Sequence, residues 1–277
     1  HRFVAGTPGD ETLPSRGHPG RTPDTTYGLD AAALDLNPDG RHGYASGMPD
    51  AALVLLAAGS GSRTGYTTNK VFLPLAGRCV LTWSLDRTAS LAQIGPVVLV
   101  VRDDEVAAAR AVLERESPQR AVRVVSGGPT RHRSEYNALH CLAGDITSGA
   151  IDVVVVHDAA RPLSDRDLFV DVVRAARAHG GAVPGRRRGN LLEHDLRPTG
   201  IDAVTVQTPQ AFRAAPLLAA HEAARRAGFE SSDTAACVEG FGDAVTVRLL
   251  PGRASNIKIT FAEDLFLAEA LLARASR

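Results

Sequence analysis

Short runs of apolar, mostly β-branched residues alternate with amphipathic stretches from residue 51 onward. The runs cover residues 51–56, 97–101, 122–125 and 151–156. Runs this short are typical of strands that are buried on both faces of a parallel sheet. Helical spacing appears at residues 80–90, 105–116, 134–142, 164–179, 216–227 and 261–274. The alternation predicts an α/β fold with a doubly wound, mostly parallel, Rossmann-like sheet and right-handed crossovers.

Polar residues mark several predicted helix ends. Ser164 is a plausible N-cap, and the glycine pair at 180–181 is a plausible stop for that helix. Thr260 and Glu263 have the spacing of a capping box before the last helix. The segment 231–234, Ser-Ser-Asp-Thr, is predicted to cap the helix that follows it.

The composition changes at Met48, the one methionine of the chain. Residues 1–47 are rich in Gly, Pro, Thr and Asp and have almost no apolar periodicity. They are expected to be a disordered leader or an artefactual extension, with a folded N-terminal cap as the alternative. Residues 48–277 are expected to form one domain. Within it, residues 182–206 break the rhythm and predict either a projecting hairpin arm or a long surface loop.

Charge and cysteine content exclude some classes of protein. The formal net charge is +0, so neither nucleic-acid nor membrane-surface binding is indicated. Cys79, Cys141 and Cys237 are widely spaced and lack a C-x-x-C pair. They are predicted to be reduced core thiols of a cytoplasmic protein, not a disulfide framework or a zinc site. No run approaches the ~18 apolar residues of a membrane span.

Lysine is rare in this chain. Lys70 and Lys258 are the two lysines among 31 Lys and Arg residues. Arginine presents a planar fork, whereas lysine is a compact charge on a flexible stem that can follow a phosphate through a reaction. The lysines are therefore candidate phosphate ligands, and chance survival on a solvated surface is the alternative.

A glycine-rich loop follows the first predicted strand. Residues 57–65 read Ala-Ala-Gly-Ser-Gly-Ser-Arg-Thr-Gly. Small residues at this place let backbone N–H groups approach an anion, and Arg63 and Lys70 add positive charge. The Walker A pattern is absent, and no suitably placed acidic residue supports a dinucleotide fold. The loop predicts a phosphate site of another kind.

Two further predicted strands end in polar segments. Residues 126–134 combine a Gly127-Gly128 turn with Arg131, Arg133 and Ser134, and a solvated basic turn is the alternative. Residues 151–156 lead into His157 and Asp158, with Arg161 three positions later. This spacing suits a Mg²⁺ ligand beside a phosphate clamp, although a structural Asp–Arg pair is common. His157 is expected to be a packed histidine and not a metal ligand.

Taken in order with Gln207-Thr208-Pro209-Gln210 and Asn256-Ile257-Lys258, these segments resemble the bacterial 2-C-methyl-D-erythritol 4-phosphate cytidylyltransferase family. The resemblance covers residues 51–275 and extends to related polyol-phosphate cytidylyltransferases. It implies a nucleotidyltransferase fold and transfer of CMP from CTP to a polyol phosphate, with release of pyrophosphate. The implied setting is isoprenoid precursor synthesis by the non-mevalonate pathway. The implied cofactor is Mg²⁺ or another divalent cation.

The resemblance also implies a role for individual residues. Catalysis would fall to Arg63, Lys70 and Lys258, with Lys258 at the junction of donor and acceptor. The nucleotide would contact Leu56, Ala57, Ala58, Gly59, Gly61, Gly128, Pro129, Ser134 and Ala159. The acceptor side would comprise Asp158, Arg161, Thr208 and Ser232, and Asp158 would bind the metal. A homodimer is implied because the arm, about 182–206, reaches a second subunit in this family.

The acceptor half departs from the family pattern. An Asp-Thr pair that is usual in the arm is replaced by residues 184–190, which read Pro-Gly-Arg-Arg-Arg-Gly-Asn. A usual arginine is Gly200 here, with Arg197 three residues earlier, and a usual acidic segment reads Ser232-Asp233-Thr234. Because the rest of the chain resembles the methylerythritol enzymes, methylerythritol phosphate is still the first candidate acceptor. Ribitol 5-phosphate or another sugar or polyol phosphate, a different nucleoside triphosphate, and a non-catalytic nucleotide-binding paralogue are the alternatives.

Overall fold

A computed structural model of the chain describes residues 50–59, 68–189, 191, 194–195, 197, 203–242 and 245–275. The expected leader, Gly61 and Arg63 lie outside these ranges. The strands are β1 (Asp50–Leu56), β2 (Pro74–Leu75), β3 (Arg78–Cys79), β4 (Ile94–Val101), β5 (Arg123–Ser126), β6 (Ile151–Asp158), β7 (Gly180–Arg188), β8 (Ala203–Val206), β9 (Gln210–Arg213) and β10 (Thr246–Pro251). The helices are α1 (Val80–Asp86), α2 (Val106–Glu116), α3 (Arg131–Cys141), α4 (Ala143–Thr147), α5 (Arg166–His179), α6 (Ala214–Arg226), α7 (Thr234–Phe241) and α8 (Glu263–Ala275).

The main sheet has the order β10-β7-β9-β6-β1-β4-β5, with β8 paired to the outer part of β7. Pairings among β1, β4, β5 and β6 are parallel, as is that of β7 with β10. β9 runs antiparallel between β6 and β7. The chain leaves β1 toward β4 and β5 and later returns to its other side with β6. Open α/β sheets bind ligands beside such a reversal, at the carboxyl ends of the strands.

Alternate residues of β1 face two separate layers of helices. Leu53 and Leu55 pack in a core that also contains residues of α1, α2 and α5. Ala52 and Val54 pack in a second core with residues of α3, α6 and α7. Full burial of one such aliphatic side chain contributes about 1.5–3 kcal/mol. Burial on both faces explains the continuous apolar run, and the doubly wound α/β prediction is confirmed.

The hairpin interpretation of residues 182–206 is correct, and the long-loop alternative is wrong. β7 pairs antiparallel with β8 from Gly185 opposite Val206 to Arg188 opposite Ala203. Gly180 has a φ of 113°, which ends α5 and starts β7 without an intervening loop. The outer arginines of β7 are exposed, so the hairpin projects from the sheet as an arm. Residues 198–202, between the two strands, lie outside the described residues.

Two predicted caps have different partners in the structure. α5 begins after Asp165, and the hydroxyl of Ser164 instead donates to Asn256 Oδ1 at 2.7 Å. At the start of α8, Asp264 and not Glu263 accepts from the backbone N–H of Thr260 at 2.7 Å. At Ser164 a buried tertiary partner competes with the local cap, and sequence spacing does not register that competition.

The three cysteines are free, as expected. Cys79 and Cys237 are buried, but Cys141 is exposed at the end of α3, so the prediction of a core position was wrong for Cys141. Within the described residues, every helix is too short or too polar to cross a lipid bilayer.

Candidate active site

The carboxyl ends of β1, β4, β5 and β6 surround a cavity of about 590 Å³. It brings together ten of the residues singled out in the sequence. They are Leu56, Ala57, Ala58, Gly59, Lys70, Gly128, Pro129, Ser134, Asp158 and Lys258. Residues separated by up to two hundred positions therefore meet at the place where the fold predicts a ligand.

Asn69 fixes the approach of Lys70 to the end of β1. Its side-chain amide donates to Ala57 O at 2.9 Å and to Glu105 Oε2 at 3.0 Å. Its carbonyl oxygen accepts from the N–H of Val71 at 3.4 Å, which starts a short 3₁₀ turn. Asn69 is 2% exposed. Asn69 was not among the predicted site residues, although its position next to one of only two lysines was a usable signal.

The turn after β5 is compact. Gly127 N–H donates to Val101 O at 2.7 Å, and Gly128 N–H donates to Ser134 Oγ at 3.1 Å. Thr130 caps α3 by accepting from Arg133 N–H at 3.2 Å. α3 therefore begins at Arg131, three residues before the predicted start at Ser134. Ser134 lies in the first turn of this helix and not at its end.

Gly128→Ala is expected to lower the free energy of unfolding by about 1–3 kcal/mol, the usual cost of overpacking. A Cβ at Gly128 would lie 2.3 Å from Arg133 Cβ and 3.1 Å from its carbonyl carbon, so the backbone must shift. Gly59→Ala is the matched control, because the described atoms leave at least 4 Å around its Cβ position. Urea denaturation measures both. Equal losses in the two variants would contradict this account of the turn.

Asp158, at the end of β6, is contacted by cationic groups from three separate parts of the chain. Lys258 Nζ lies 2.7 Å from Asp158 Oδ2, Arg161 Nε lies 3.6 Å from Oδ2, and Arg131 Nη2 lies 3.7 Å from Oδ1. Burial alone would raise the pKa of this carboxyl. The charges of Lys258, Arg131 and Arg161 outweigh burial and hold that pKa well below its usual range. Asp158 is therefore ionised at neutral pH.

The residues at this site fit a magnesium ion. Mg²⁺ is usually held by one or two carboxylates together with substrate phosphates. The carboxylate of Asp158 is ionised at the cavity wall, and Asp103 lines the same cavity. The surrounding cations offer complementary partners for phosphate oxygens.

His157 is packed behind Asp158 and is not a metal ligand in this arrangement. Its Nε2 lies 3.3 Å from Arg161 O, an acceptor, so Nε2 carries the proton. Its Nδ1 therefore accepts from the Thr208 hydroxyl at 3.0 Å, and that oxygen accepts from Asp158 N–H at 3.0 Å. The chain of bonds fixes the backbone at Asp158. The expectation of a packed His157 agrees with this geometry.

His157 is expected to make the protein less stable in mild acid. Burial lowers its pKa to about 4, against about 6.5 in an unfolded chain. The unfolded state therefore binds more protons between pH 6.5 and 4, and the free energy of unfolding falls by about 3 kcal/mol as the pH falls through this window.

Urea denaturation between pH 7 and 4 tests this expectation. His157→Gln should flatten the pH dependence, whereas the same change at His140, which is exposed, should preserve it. If the free energy of unfolding of His157→Gln depended on pH as steeply as that of the wild type, His157 would not be the cause of the acid destabilisation.

The segment that carries Lys258 is held by buried polar contacts. Arg161 Nη1 donates to Asn256 O at 2.8 Å, and Asn256 Nδ2 donates to Thr208 O at 2.9 Å. Ile259 N–H donates to Ala160 O at 2.8 Å. Asn256 is fully buried and was quoted in the sequence motif without a role. Its task is to fix the position from which Lys258 extends.

The remaining predicted residues lie at different distances from the cavity. Ala159 is buried behind β1, where its N–H donates to Leu56 O at 2.9 Å. Thr208 is 3% exposed and its hydroxyl is engaged with His157 and Asp158, so contact with an acceptor phosphate stays a prediction. Ser232 is exposed and does not line the cavity. Gly61 and Arg63 lie outside the described residues.

Arg131 is a second residue whose importance appears only in the structure. In the sequence Arg131 is one of several donors after β5, without a predicted site role. It lies between Asp158 and Glu135, and its guanidinium bonds the Glu135 carboxylate. Arg102 also lines the cavity directly after β4. Its place at a strand end was the signal that could have identified it.

Comparison with known proteins points to one family. A family model described as 2-C-methyl-D-erythritol 4-phosphate cytidylyltransferase matches residues 51–187 and 198–274. A protein of that name from Geobacillus kaustophilus is 36% identical over 228 residues, which is 79% of this chain and 96% of the relative. One from Pelotomaculum thermopropionicum is 38% identical over 233 residues, covering 81% of this chain and 95% of the relative.

Solved structures agree. The enzyme of the same name from Thermus thermophilus aligns with a TM-score of 0.61 and 32% identity, over 79% of this chain and 98% of that one. A 4-diphosphocytidyl-2C-methyl-D-erythritol synthase from Anaerococcus prevotii aligns with a TM-score of 0.68 and 27% identity, over 81% and 96%. The chain belongs to the 2-C-methyl-D-erythritol 4-phosphate cytidylyltransferase family.

Proposed function

We propose that this protein transfers CMP from CTP to 2-C-methyl-D-erythritol 4-phosphate, releasing pyrophosphate and forming the CDP-polyol of isoprenoid precursor synthesis. Family membership supports the reaction. The observation that carries it is the cluster at the cavity wall, where Lys258, Arg161 and Arg131 converge on Asp158. A site that joins two phosphorylated substrates needs this density of positive charge.

The chemistry requires positioning more than proton transfer. An oxygen of the acceptor phosphate attacks the α-phosphorus of CTP, and the bond from that phosphorus to the bridging oxygen breaks as pyrophosphate leaves. The second pKa of a phosphate monoester is about 6, so the attacking oxygen is already ionised at neutral pH. No general base is needed. This agrees with a His157 that is buried, neutral and turned toward Thr208.

The lysines are assigned separate tasks. Lys258 Nζ bonds Asp158, and its side chain is 40% exposed, which leaves it able to turn toward phosphate oxygens at the reacting junction. Lys70 lines the cavity near the end of β1 and would face the departing phosphates together with Arg63. Arg161 would face the acceptor phosphate.

The nucleotide is assigned to the turns after β1 and β5. Residues 56–59 and Gly61 would contact the triphosphate, and Gly128, Pro129 and Ser134 would contact the cytidine. Asp158 would hold Mg²⁺, which when bound neutralises charge on the triphosphate. Thr208 and Ala159 hold the end of β6 in place, and Thr208 would also face the acceptor phosphate and Ala159 the nucleotide.

We further propose a homodimer formed through the arm. β7 and β8 project from the sheet, with Arg186, Arg187 and Arg188 exposed and Val206 39% exposed. A projecting two-stranded hairpin is marginal alone and gains stability when another surface covers it.

The three free cysteines support a reducing, cytoplasmic location.

An acceptor panel tests the proposal by pyrophosphate release. CTP and a divalent cation would be supplied with methylerythritol 4-phosphate, ribitol 5-phosphate, a sugar 1-phosphate, or no acceptor. Release with methylerythritol 4-phosphate at least tenfold above the other acceptors is the expected result. Preference for ribitol 5-phosphate would reassign the acceptor. CTP binding without release from any acceptor would replace the enzyme proposal with a non-catalytic nucleotide-binding role.

A further inference from the structure

A second cluster of ligand-type side chains lies behind the cavity wall, between three helices. His132 is on α3, His221 is on α6 and Cys237 is on α7. They are 2%, 0% and 0% exposed. One ring nitrogen of each histidine and the sulfur of Cys237 all lie within 4.8 Å of one another.

Polar atoms in this cluster have unmet hydrogen-bonding capacity. Among the described residues, His132 Nε2, both ring nitrogens of His221 and Glu135 Oε2 are buried without a hydrogen-bond partner. Each such group costs about 1–3 kcal/mol, and folded proteins contain few of them. Four in one place, next to a buried sulfur, indicate a shared ligand.

Packing alone does not satisfy these atoms. The two imidazole rings stack with centroids 4.6 Å apart and planes 18° apart, which buries their faces but gives the nitrogens no partners. His221 Nε2 lies 3.4 Å from Glu135 Oε2, which is an ion pair only if His221 is protonated. Even then, His132 Nε2 and His221 Nδ1 would stay unpaired. A cation that accepts nitrogen and sulfur donors satisfies the whole group.

We propose that His132, His221 and Cys237 bind a structural Zn²⁺ ion, with the Glu135 carboxylate held against His221. Two imidazoles and a thiolate are a donor set that zinc favours, whereas Mg²⁺ prefers oxygen. Tetrahedral zinc needs ligand atoms about 3.3–3.6 Å apart, so separations within the cluster must shorten by up to roughly 1.2–1.5 Å and the stacked rings must tilt toward the ion. Ser231 Oγ lies 3.2 Å from His132 Nδ1 and orients that ring with Nε2 inward.

Zinc binding would displace the thiol proton of Cys237. Burial and the nearby Glu135 raise the pKa of this thiol to about 12, so it is protonated in the metal-free protein. The sulfur becomes a thiolate as the metal binds, and the proton leaves to solvent. Cysteine spacing predicted no zinc site. Spacing of cysteines alone does not reveal a site in which the other two ligands are histidines from separate helices.

The site would stiffen one wall of the active-site cavity. Glu135 accepts from Thr234 Oγ1 at 3.0 Å and bonds Arg131, whose guanidinium lies 3.7 Å from Asp158. A metal here ties α3, α6 and α7 together behind this connection. Its presence is independent of nucleotide transfer, so the metal experiment and the acceptor panel can fail separately.

Cobalt substitution tests the site directly. Metal-free protein titrated with Co²⁺ is expected to bind one equivalent with the near-ultraviolet charge-transfer band of a thiolate–cobalt bond and visible bands of tetrahedral geometry, and Zn²⁺ should displace it. Cys237→Ala should lose the charge-transfer band, and His132→Asn should weaken the visible bands. Cys141→Ala, at an exposed free cysteine, is the matched control and should keep both. Asp158→Asn should also keep them, which separates this site from the active site.

Thermal unfolding gives a second readout. Zn²⁺ at about 100 times its Kd should raise the midpoint by about 5–10 °C in the wild type and in Cys141→Ala, and by less than about 2 °C in Cys237→Ala. Circular dichroism of the metal-free variants establishes that they are folded. Absence of the charge-transfer band in the wild type, or its survival in Cys237→Ala, would overturn the proposal.

Discussion

Lys258→Ala is expected to lower kcat by about 10²- to 10³-fold while changing the Kd of CTP by less than about threefold. Lys258 Nζ lies 2.7 Å from Asp158 and its side chain is partly exposed, so it can turn toward the proposed junction of donor and acceptor. An interaction that strengthens as charge develops in the transition state affects turnover more than ground-state binding.

Two companion variants make the result specific. Lys258→Arg keeps the charge but replaces a compact ammonium with a planar fork, and an intermediate loss of about tenfold or more is expected. Arg253→Ala removes a cation five residues earlier in the same segment. Arg253 pairs with Asp165 at 3.2 Å with both side chains about half exposed, so kcat should change less than about twofold. Equal losses in kcat and CTP affinity for Lys258→Ala would contradict the bridging role.

Asp158→Asn is the second substitution with a large expected effect, on both activity and stability. It removes the carboxylate from a group of three cations and leaves Lys258, Arg161 and Arg131 without their common partner. Breaking a buried pair in this way costs up to about 3–5 kcal/mol. Turnover should fall by about 10²-fold or more at saturating Mg²⁺, because the same carboxylate is the proposed metal ligand.

The stability effect has a definite pH dependence. The pKa of Asp158 is lower in the folded than in the unfolded protein, so its stabilisation is fully present above pH ~4 and is lost as the pH falls through the folded-state value. The difference in free energy of unfolding between the wild type and Asp158→Asn should therefore become smaller in strong acid.

Asp152→Asn, on the same strand, provides the matched control for this experiment. Its carboxylate pairs with Arg177 at 2.7 Å at the opposite end of β6. A loss of about 1 kcal/mol or less and unchanged turnover are expected there. Similar losses of unfolding free energy and turnover in Asp158→Asn and Asp152→Asn at pH 7 would refute the role proposed for Asp158.

Much of the fold follows from local pattern. The runs at 51–56 and 151–156 form β1 and β6 within two residues of their predicted ends, because a strand buried on both faces leaves little ambiguity in its composition. β9 was not anticipated as a strand. It has only four residues, Gln210–Arg213, and pairs antiparallel between β6 and β7, which no local periodicity indicates.

Segment type indicated ten of the residues that line the cavity, but not Asn69 or Arg102 and not the contacts that connect the cavity residues. Asp158 and Lys258 were identified from segment type, but their 2.7 Å contact joins positions one hundred residues apart. The use of the Thr208 hydroxyl to hold His157 and Asp158 also depends on the register of separate strands. The cluster of His132, His221 and Cys237 forms no sequence motif, because each residue comes from a different helix.

Because Lys258 lies late in the sequence, it is synthesised after the residues that form most of the core. Among the described residues, the buried members of the two cores on the faces of the main sheet extend no further than Leu250, whereas the small core that receives α8 contains Ile259, Ala268 and Leu272. As the chain emerges from the ribosome, the sheet and its phosphate-binding turns have their core residues before residue 258 has been added. A chain that ends before Lys258 would therefore contain the buried residues of both sheet cores but lack the proposed bridging lysine and the helix that completes the third core.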